Sequence, residues 1–280
     1  RSARCARLSA MPHNINIERT DNMFKTGIVS VTFRKKPIDE IIRLAKANSL
    51  DCVEVGSDVH APHNDLENCR RIKSIAAENG VEIVSYGSYY KLGQYAAPTD
   101  EFNAYIAAAK ALGAPNIRIW AGVKGSALVE PVERAALVSE ARLIASLAKD
   151  AGLTMSFEYH PNTLTDDCDS AAKLIEEIDA DNVRLYWQPD QKHDADFNTA
   201  ALRKVLPFVS NVHVFAWNAR NGPCVRFPLA DHEADWRRYL DILASDGKDR
   251  ALLMEFVMDD SEERFIADAA VLNEWKKRYA

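Results

Sequence analysis

The sequence predicts a single (β/α)8 barrel, and three observations support that fold class. Short apolar or β-branched runs alternate with longer helical patterns from about residue 24 to the end. No Pro/Gly/Ser-rich linker divides this stretch. The length of 280 residues, with 47% hydrophobic side chains, is typical of a barrel that forms one domain around one large core.

Eight candidate strands follow one another along the chain. They cover residues 27–32, 52–55, 82–86, 116–120, 154–159, 184–188, 211–215 and 251–256. Each is followed by enough chain for a helix, as a closed parallel barrel requires. Ile38, Ile41 and Ile42 recur at helical spacing, and Gly80 and Gly113 follow helical patterns as expected of left-handed caps.

An open doubly wound sheet is the main structural alternative, because it also alternates strands and helices. Such a sheet normally has a glycine-rich phosphate-binding turn after its first strand. Here residues 31–35 read Val-Thr-Phe-Arg-Lys, and no GxGxxG or Walker pattern follows any candidate strand. The barrel is therefore the favoured fold.

The first residues differ in composition from the rest of the chain. They hold three arginines and no acidic residue before Glu18, which superficially resembles a transit peptide. No apolar segment follows the arginines, so a secretory signal is excluded. We expect residues 1–23 to be a disordered leader, with Met11 or Met23 as the native start, and residues 24–280 to form the catalytic barrel.

Composition excludes several classes of partner. Lys and Arg number 35 against 41 Asp and Glu, so a net charge of −6 offers no basic field for duplex nucleic acid. No run approaches the ~20 apolar residues of a membrane span. The five cysteines lack CxxC spacing and are expected to be reduced thiols. We expect a cytoplasmic protein with neither nucleic acid nor membrane as partner, and the sequence leaves homo-oligomerisation open.

Ionisable side chains gather at the ends of the last four candidate strands, where barrel enzymes place reactive groups. They are Glu158, Gln188 with Asp190, His213 and Glu255, in chain order. Glu158 and Glu255 lie between apolar neighbours, where an isolated carboxylate is costly to bury. We therefore expect a compensating cation, and oxygen ligands with one imidazole suit Mn²⁺, Mg²⁺ or Co²⁺, with Zn²⁺ as an alternative.

Other side chains are candidates for contact with a ligand. His160 lies two residues after Glu158 and so on the same side of an extended chain. Tyr86 and Trp120 are candidates to wall a sugar pocket, although aromatic residues near strand ends are as often part of the core. His60, on the loop after the second strand, is expected to be solvated.

The same segments resemble the sugar phosphate isomerase/epimerase superfamily, the xylose isomerase-like barrels. This group includes ketose 3-epimerases, hydroxypyruvate isomerase, inosose dehydratase and endonuclease IV. The segments that carry the resemblance are VEVG at 53–56, IRIWAG at 117–122, FEYH at 157–160, VHV at 212–214, and Glu255. The resemblance covers the chain from about Gly27 to its end.

The resemblance implies that Glu158, His213 and Glu255 are metal ligands, with an acidic ligand at the end of strand six. This chain has Gln188 there. An amide oxygen can bind a hard cation, but the loss of one negative charge should weaken the binding. Asp190 is the alternative ligand if the chain turns inward after Gln188.

The resemblance also implies a reaction. Glu158 and Glu255 match a pair of glutamates that act as acid and base on the two faces of a sugar carbon, while the metal stabilises an enediolate. The implied function is a metal-dependent isomerase or epimerase of a sugar, sugar phosphate or related polyol. Arg226 lies in a segment that often faces the substrate, and a surface arginine is the alternative interpretation.

Three other functions remain as alternatives. An inosose-type dehydratase would use the same metal with a different leaving group, and a barrel that binds sugar without catalysis would accommodate Gln188. A nuclease like endonuclease IV is disfavoured, because it needs a histidine-rich three-metal cluster and a basic groove.

Overall fold

A computed structural model describes residues 23–280, and eight of its strands close into a parallel barrel. The predicted leader, residues 1–23, lies outside the described part of the chain except for Met23. The strands of the barrel are β1 Phe24–Val29, β2 Cys52–Gly56, β3 Glu82–Lys91, β4 Asn116–Trp120, β5 Thr154–Glu158, β6 Val183–Trp187, β7 Val209–Val214 and β10 Arg250–Met254. A two-stranded ribbon, β8 Trp217–Asn218 and β9 Val225–Arg226, lies in the loop after β7.

Eight helices follow the barrel strands. They are α1 Ile38–Ala47, α2 Leu66–Asn79, α3 Pro98–Leu112, α4 Pro131–Asp150, α5 Cys168–Ile178, α6 Ala195–Val205, α7 Glu233–Ala244 and α8 Glu262–Lys277. The order around the barrel is β1-β10-β7-β6-β5-β4-β3-β2, and β1 closes it by pairing in parallel with both β10 and β2. The predicted (β/α)8 barrel is confirmed.

The helix features that the sequence predicts are present. The apolar stripe of α1 is buried, including Ile38, Ile41 and Ile42. Gly80 and Gly113 cap α2 and α3 with φ of 63° and 74°, in the left-handed region that glycine tolerates best. No helix within residues 23–280 is long and apolar enough to cross a membrane.

Several strand ends differ from the predicted ones, by as much as five residues at β3, which continues to Lys91, and two of the differences have clear local causes. The first strand ends at Val29, because residues Ser30–Phe33 form a 3-10 turn. The last strand ends at Met254, because Phe256 has a φ of 47°. This left-handed conformation is rare for a bulky residue and cannot continue a strand.

The inside of the barrel carries polar side chains near its C-terminal end. Gly87 of β3 marks this level, because a Cβ there would lie 2.7 Å from Glu54 Oε1 and 2.8 Å from Arg118 Nη2. Glycine therefore leaves room for two charged side chains inside the barrel. The loops that follow the strands at this end form the mouth in which the predicted site residues lie.

Candidate functional site

His213 of β7 lies at the centre of a buried polar cluster at the barrel mouth. Its Nδ1 atom is 3.0 Å from Gln188 Oε1, 3.5 Å from Glu255 Oε2 and 3.6 Å from Glu158 Oε1. One ligand atom from each of Glu158, His213 and Glu255 lies within 4.8 Å of the others. The structure thus brings together all four side chains that the sequence predicts as metal ligands.

The geometry and chemistry of this cluster fit a divalent cation. Neighbouring ligands of one ion at bond lengths of about 2.1 Å lie about 3 Å apart, close to the separations around His213 Nδ1. Carboxylate and amide oxygens with one imidazole are a donor set for hard or borderline ions such as Mg²⁺ and Mn²⁺. Glu158, Gln188, His213 and Glu255 can therefore hold such an ion.

Two further charged residues lie directly behind the cluster. Arg118 Nε of β4 donates a hydrogen bond to Glu54 Oε1 of β2 at 2.8 Å, and Arg118 Nη1 donates to Glu158 Oε2. The side chains of Arg118 and Glu54 are 4% and 0% exposed. Neither residue is among the predicted site residues, although each lies between apolar residues in a strand, the same signal that singles out Glu158.

The buried charges do not balance among themselves. Glu54, Glu158 and Glu255, when ionised, carry three negative charges against one positive charge on Arg118, and His213 adds none when neutral. Two negative charges therefore remain in a region of low dielectric, where they are costly. A divalent cation would bring the cluster to neutrality.

The cluster also separates the pKa values of its acids. Burial acts to raise the pKa of Glu54, but Arg118 and His213 outweigh it and lower this pKa to about 2. Burial raises the pKa of Glu255, and the Glu158 carboxylate adds to the rise while His213 opposes it. Glu54 is therefore fixed as an anion, whereas Glu255 takes up a proton more readily than an ordinary glutamate.

A cavity of about 170 Å³ opens beside the cluster, between the loops after β5 and β6. Gln188, His160 and Asp190 are among its lining residues. The Asp190 carboxylate accepts a hydrogen bond from Lys192 N at 2.8 Å and lies 3.7 Å from His193 Nε2. Gln188, and not Asp190, is thus the strand-six residue that contacts His213.

Trp120 lies at the mouth, but it is engaged by protein groups. Its Nε1 donates a hydrogen bond to Glu158 Oε2 at 2.5 Å. The ring of His160 stacks on the indole at 4.4 Å, and Lys91 Nζ lies over the ring at 4.5 Å from its centroid. These two groups cover the indole, so its main contact within the site is with Glu158.

The prediction that Tyr86 contacts the substrate is wrong. Its neighbour Gly87 faces the barrel interior, and alternation along the strand turns Tyr86 outward. Tyr86 is fully buried, donates a hydrogen bond to Ala61 O at 2.6 Å and packs against Tyr105 of α3. Tyr86 is a core residue.

The prediction that His60 is solvated is also wrong. The residue is 6% exposed. Its ring nitrogens lie 2.9 Å from Ser30 Oγ and 3.1 Å from Lys36 O. Burial lowers its pKa, so it is a neutral structural group that links two loops of the mouth.

Arg226 of β9 lies at the rim of the mouth, next to the strand end that carries Glu255. Its guanidinium lies 5.1 Å from the Phe256 ring centroid and 5.6 Å from that of Trp217. Its Nη1 donates to Asp260 Oδ1 at 2.5 Å. The structure thus places Arg226 near the site, with its charge paired to Asp260.

The backbone of Phe256 is held on both sides. Phe256 N donates to Thr32 Oγ1 at 3.1 Å, and Phe256 O accepts from Trp217 Nε1 at 3.2 Å. These bonds stabilise a left-handed conformation that is costly for phenylalanine. Because Phe256 follows Glu255, the bonds also restrict the direction of the Glu255 side chain.

Comparison with known proteins gives relatives of two activities. The 3-dehydroshikimate dehydratase of Bacillus anthracis is 25% identical over 169 residues, which are 58% of this chain and 60% of that protein. The match thus spans less than two thirds of the relative's length. The crystal structure of the probable 3-DHS dehydratase of petrobactin synthesis from the same organism superposes with a TM-score of 0.75 at 20% identity, covering 89% of this chain and 98% of that one.

An epimerase has a similar fold. The 3-keto-D-glucoside 4-epimerase of E. coli superposes with a TM-score of 0.67 at 15% identity, covering 91% of this chain and 99% of that one. A profile of the xylose isomerase-like TIM barrel family matches residues 42–275, which is most of the chain. The chain therefore belongs to the xylose isomerase-like TIM barrel family.

Proposed function

We propose that this protein is a divalent-metal-dependent enzyme that removes a proton from a carbon next to a carbonyl group of a sugar, sugar phosphate or related polyol. Return of a proton completes an isomerisation or epimerisation. The observation that carries this proposal is the convergence of Glu158, Gln188, His213 and Glu255 on one point, in a cluster where three buried carboxylates face one guanidinium.

These four side chains would hold the ion, three through oxygen and one through His213 Nδ1. A divalent ion bound there would polarise the carbonyl group and an adjacent hydroxyl group of the substrate. The C–H bond of the hydroxyl-bearing carbon next to the carbonyl would then become more acidic. The cavity beside Gln188 would accept the rest of the substrate, with His160 and Asp190 on its wall.

The two glutamates are suited to different parts of the proton transfer. Glu158 Oε2 accepts hydrogen bonds from Arg118 and Trp120, which hold this carboxylate in place. Glu255 has a raised pKa, and its ion-pair contact with His213 is 3.5 Å long. We infer that Glu255, the less tightly held carboxylate, takes the proton from carbon, and that Glu158 is the partner from the other side of the cluster.

Dehydration is the second candidate, and the 25% sequence identity to a 3-dehydroshikimate dehydratase favours it. The first step would be the same: Glu255 removes the proton next to the carbonyl group. The electron pair would then expel a hydroxyl group from the next carbon, which leaves as water after it gains a proton. The two candidates differ only in the fate of the intermediate.

One experiment separates them. Protein loaded with Mn²⁺ is incubated in D₂O with a panel of ketoses and ketose phosphates and with 3-dehydroshikimate, and the products are followed by proton NMR. Deuterium next to the carbonyl with all hydroxyl groups retained supports isomerisation or epimerisation. New C=C signals with loss of water support dehydration. No reaction across the panel at full metal occupancy would contradict both and favour a binding protein.

A further inference from the structure

The buried Glu54–Arg118 pair contacts two of the four candidate metal ligands from behind. We propose that this pair consists of positioning residues: Arg118 fixes the orientation of Glu158, and Glu54 fixes the orientation and tautomer of His213. The inference rests on the proposed function, because it concerns the ligands of the proposed ion.

Arg118 determines which oxygen of Glu158 faces the cluster. Glu158 Oε2 accepts hydrogen bonds from Arg118 Nη1 and from Trp120 Nε1. The remaining oxygen, Oε1, lies 3.6 Å from His213 Nδ1 and points into the cluster. Charge-assisted hydrogen bonds to one oxygen hold the carboxylate plane, so Glu158 presents one oxygen to an ion.

Glu54 faces the other side of the His213 ring. Glu54 Oε1 is 3.7 Å from His213 Nε2, and both side chains are fully buried. Within the described residues, His213 Nε2 and Glu54 Oε2 have no hydrogen-bond partner. Without an ion, Gln188 Oε1 at 3.0 Å from Nδ1 favours a proton on that nitrogen. The Glu54 charge acts in the opposite direction and favours the proton on Nε2, the tautomer that leaves the lone pair of Nδ1 for an ion. Metal-binding histidines commonly have such a carboxylate behind them.

The barrel wall keeps the pair in this position. A side chain at residue 87 would collide with both partners, since its Cβ would lie 2.7 Å from Glu54 Oε1 and 2.8 Å from Arg118 Nη2. Neither charged group is more than 4% exposed, so water does not compete for them. A purely stabilising ion pair needs no contact with the ligands, whereas here both members have one.

The test is the Glu54→Gln variant. Glutamine keeps the size of the side chain and an oxygen for Arg118, but removes the charge that faces His213. We expect the affinity for Mn²⁺ alone, measured by titration calorimetry, to fall about 10- to 100-fold, as is typical when such a supporting partner is lost. We also expect ¹⁵N NMR of the metal-free variant to show a smaller fraction of the Nε2–H tautomer of His213 than in the wild type.

Asp246→Asn is the matched control, because it makes the same acid-to-amide change beside the buried Arg250 at the other end of the barrel. This control should leave the Mn²⁺ affinity and the His213 tautomer unchanged. A Glu54→Gln variant with wild-type Mn²⁺ affinity and an unchanged tautomer would overturn the inference. If the wild-type protein binds no Mn²⁺, the proposed function fails. The ¹⁵N NMR comparison of His213 between metal-free wild type and Glu54→Gln still tests the role of Glu54 in that case.

If Glu54→Gln does not fold by circular dichroism, a double variant replaces it. Glu54→Gln with Arg118→Met removes both buried charges, a change that proteins tolerate better than the loss of one partner. Wild-type Mn²⁺ affinity in the double variant would overturn the inference.

Discussion

The two ends of strand β10 bury charge in opposite ways. Arg250 begins the strand at the N-terminal end of the barrel, and Glu255 follows it at the C-terminal end. Both side chains are largely buried, at 2% and 8% exposure. Arg250 has hydrogen-bond acceptors for its guanidinium, whereas Glu255 lies in a cluster of like charge.

At the N-terminal end the charge of Arg250 is matched. Arg250 donates to both carboxylate oxygens of Asp246 at 2.7 Å, and to the carbonyl oxygens of Leu243, Val209 and Lys248. One guanidinium and one carboxylate form a neutral, hydrogen-bonded unit. Such an arrangement stabilises a fold and needs nothing from outside.

At the C-terminal end three carboxylates face one guanidinium, and atoms of Glu54 and His213 lack partners within the described residues. An arrangement of this kind costs stability unless a ligand completes it. Unbalanced buried charge, more than burial of charge itself, thus distinguishes the end of the barrel where we propose that an ion binds.

The largest effect is expected from Glu255→Gln. Glutamine keeps the shape and an oxygen ligand but cannot accept a proton, so exchange of the carbon-bound proton of the substrate should fall ~10²–10⁴-fold. NMR in D₂O measures the exchange, and metal content is determined on the same samples. If the variant exchanges this proton at the wild-type rate with full metal occupancy, Glu255 is only a ligand. The proposed mechanism, in which two glutamates transfer the proton, would then be wrong.

Asp246→Asn tests the other end of the comparison. It should lower the free energy of unfolding by about 1–3 kcal/mol, because Arg250 loses a charged partner. Urea denaturation measures this loss, and the rate of substrate proton exchange should be unchanged. A loss of exchange in the folded variant would contradict the separation of the two ends.

The effect of Asp246→Asn should also depend on pH. Hydrogen bonds from Arg250 lower the pKa of Asp246 in the folded protein. The ionised form is therefore the stabilising one: its contribution is complete above the ordinary aspartate pKa of about 3.9 and is lost as pH falls through the folded-state value. The difference in unfolding free energy between wild type and variant should narrow below about pH 4.

Gln188→Asp should increase the excess of negative charge in the cluster at the C-terminal end of the barrel. A fourth carboxylate beside His213 adds one negative charge to the ligand set, so Mn²⁺ should bind roughly tenfold more tightly. Asp190→Asn is the control and should change little, because Asp190 is bonded to Lys192 N. Calorimetry that showed weaker binding in Gln188→Asp and in Asp190→Asn would instead assign the strand-six ligand to Asp190.

The smallest effect is expected from Tyr86→Phe. The variant loses the hydrogen bond to Ala61 O and should be destabilised by about 1 kcal/mol. The rate and KM for any substrate found should stay at wild-type values, since Tyr86 faces the helices. A change in KM without a change in stability would instead indicate that Tyr86 contacts the substrate.

The sequence predicts the barrel well because its signal is repeated eight times, and β4 has the predicted bounds of 116–120. It predicts the inward direction of side chains less well. Barrel strands are apolar on both faces, so the alternation that tells inside from outside is hidden. For this reason the sequence pattern wrongly favours Tyr86 as a residue of the mouth and does not distinguish Glu54 and Arg118.

Local irregularities add to the difficulty. The pairing of β2 with β3 shifts between Val53 and Glu54, and that of β3 with β4 shifts between Gly87 and Lys91. Counting residues along a regular strand cannot include such shifts. The convergence of Glu158, His213 and Glu255 is easier to predict, because each of them lies at or near the C-terminal end of a strand. All strands of the barrel are parallel, so these ends lie at one mouth.

The hydrogen bond from Trp120 to Glu158 gives the protein an intrinsic optical signal. Trp187, Trp236 and Trp275 are at most 2% exposed in the core, whereas the Trp120 indole directly contacts a carboxylate of the cluster. A cation bound at Glu158 would change the electric field along this ring. Tryptophan emission would then report occupancy of the proposed site during a Mg²⁺ titration without a label or a substrate.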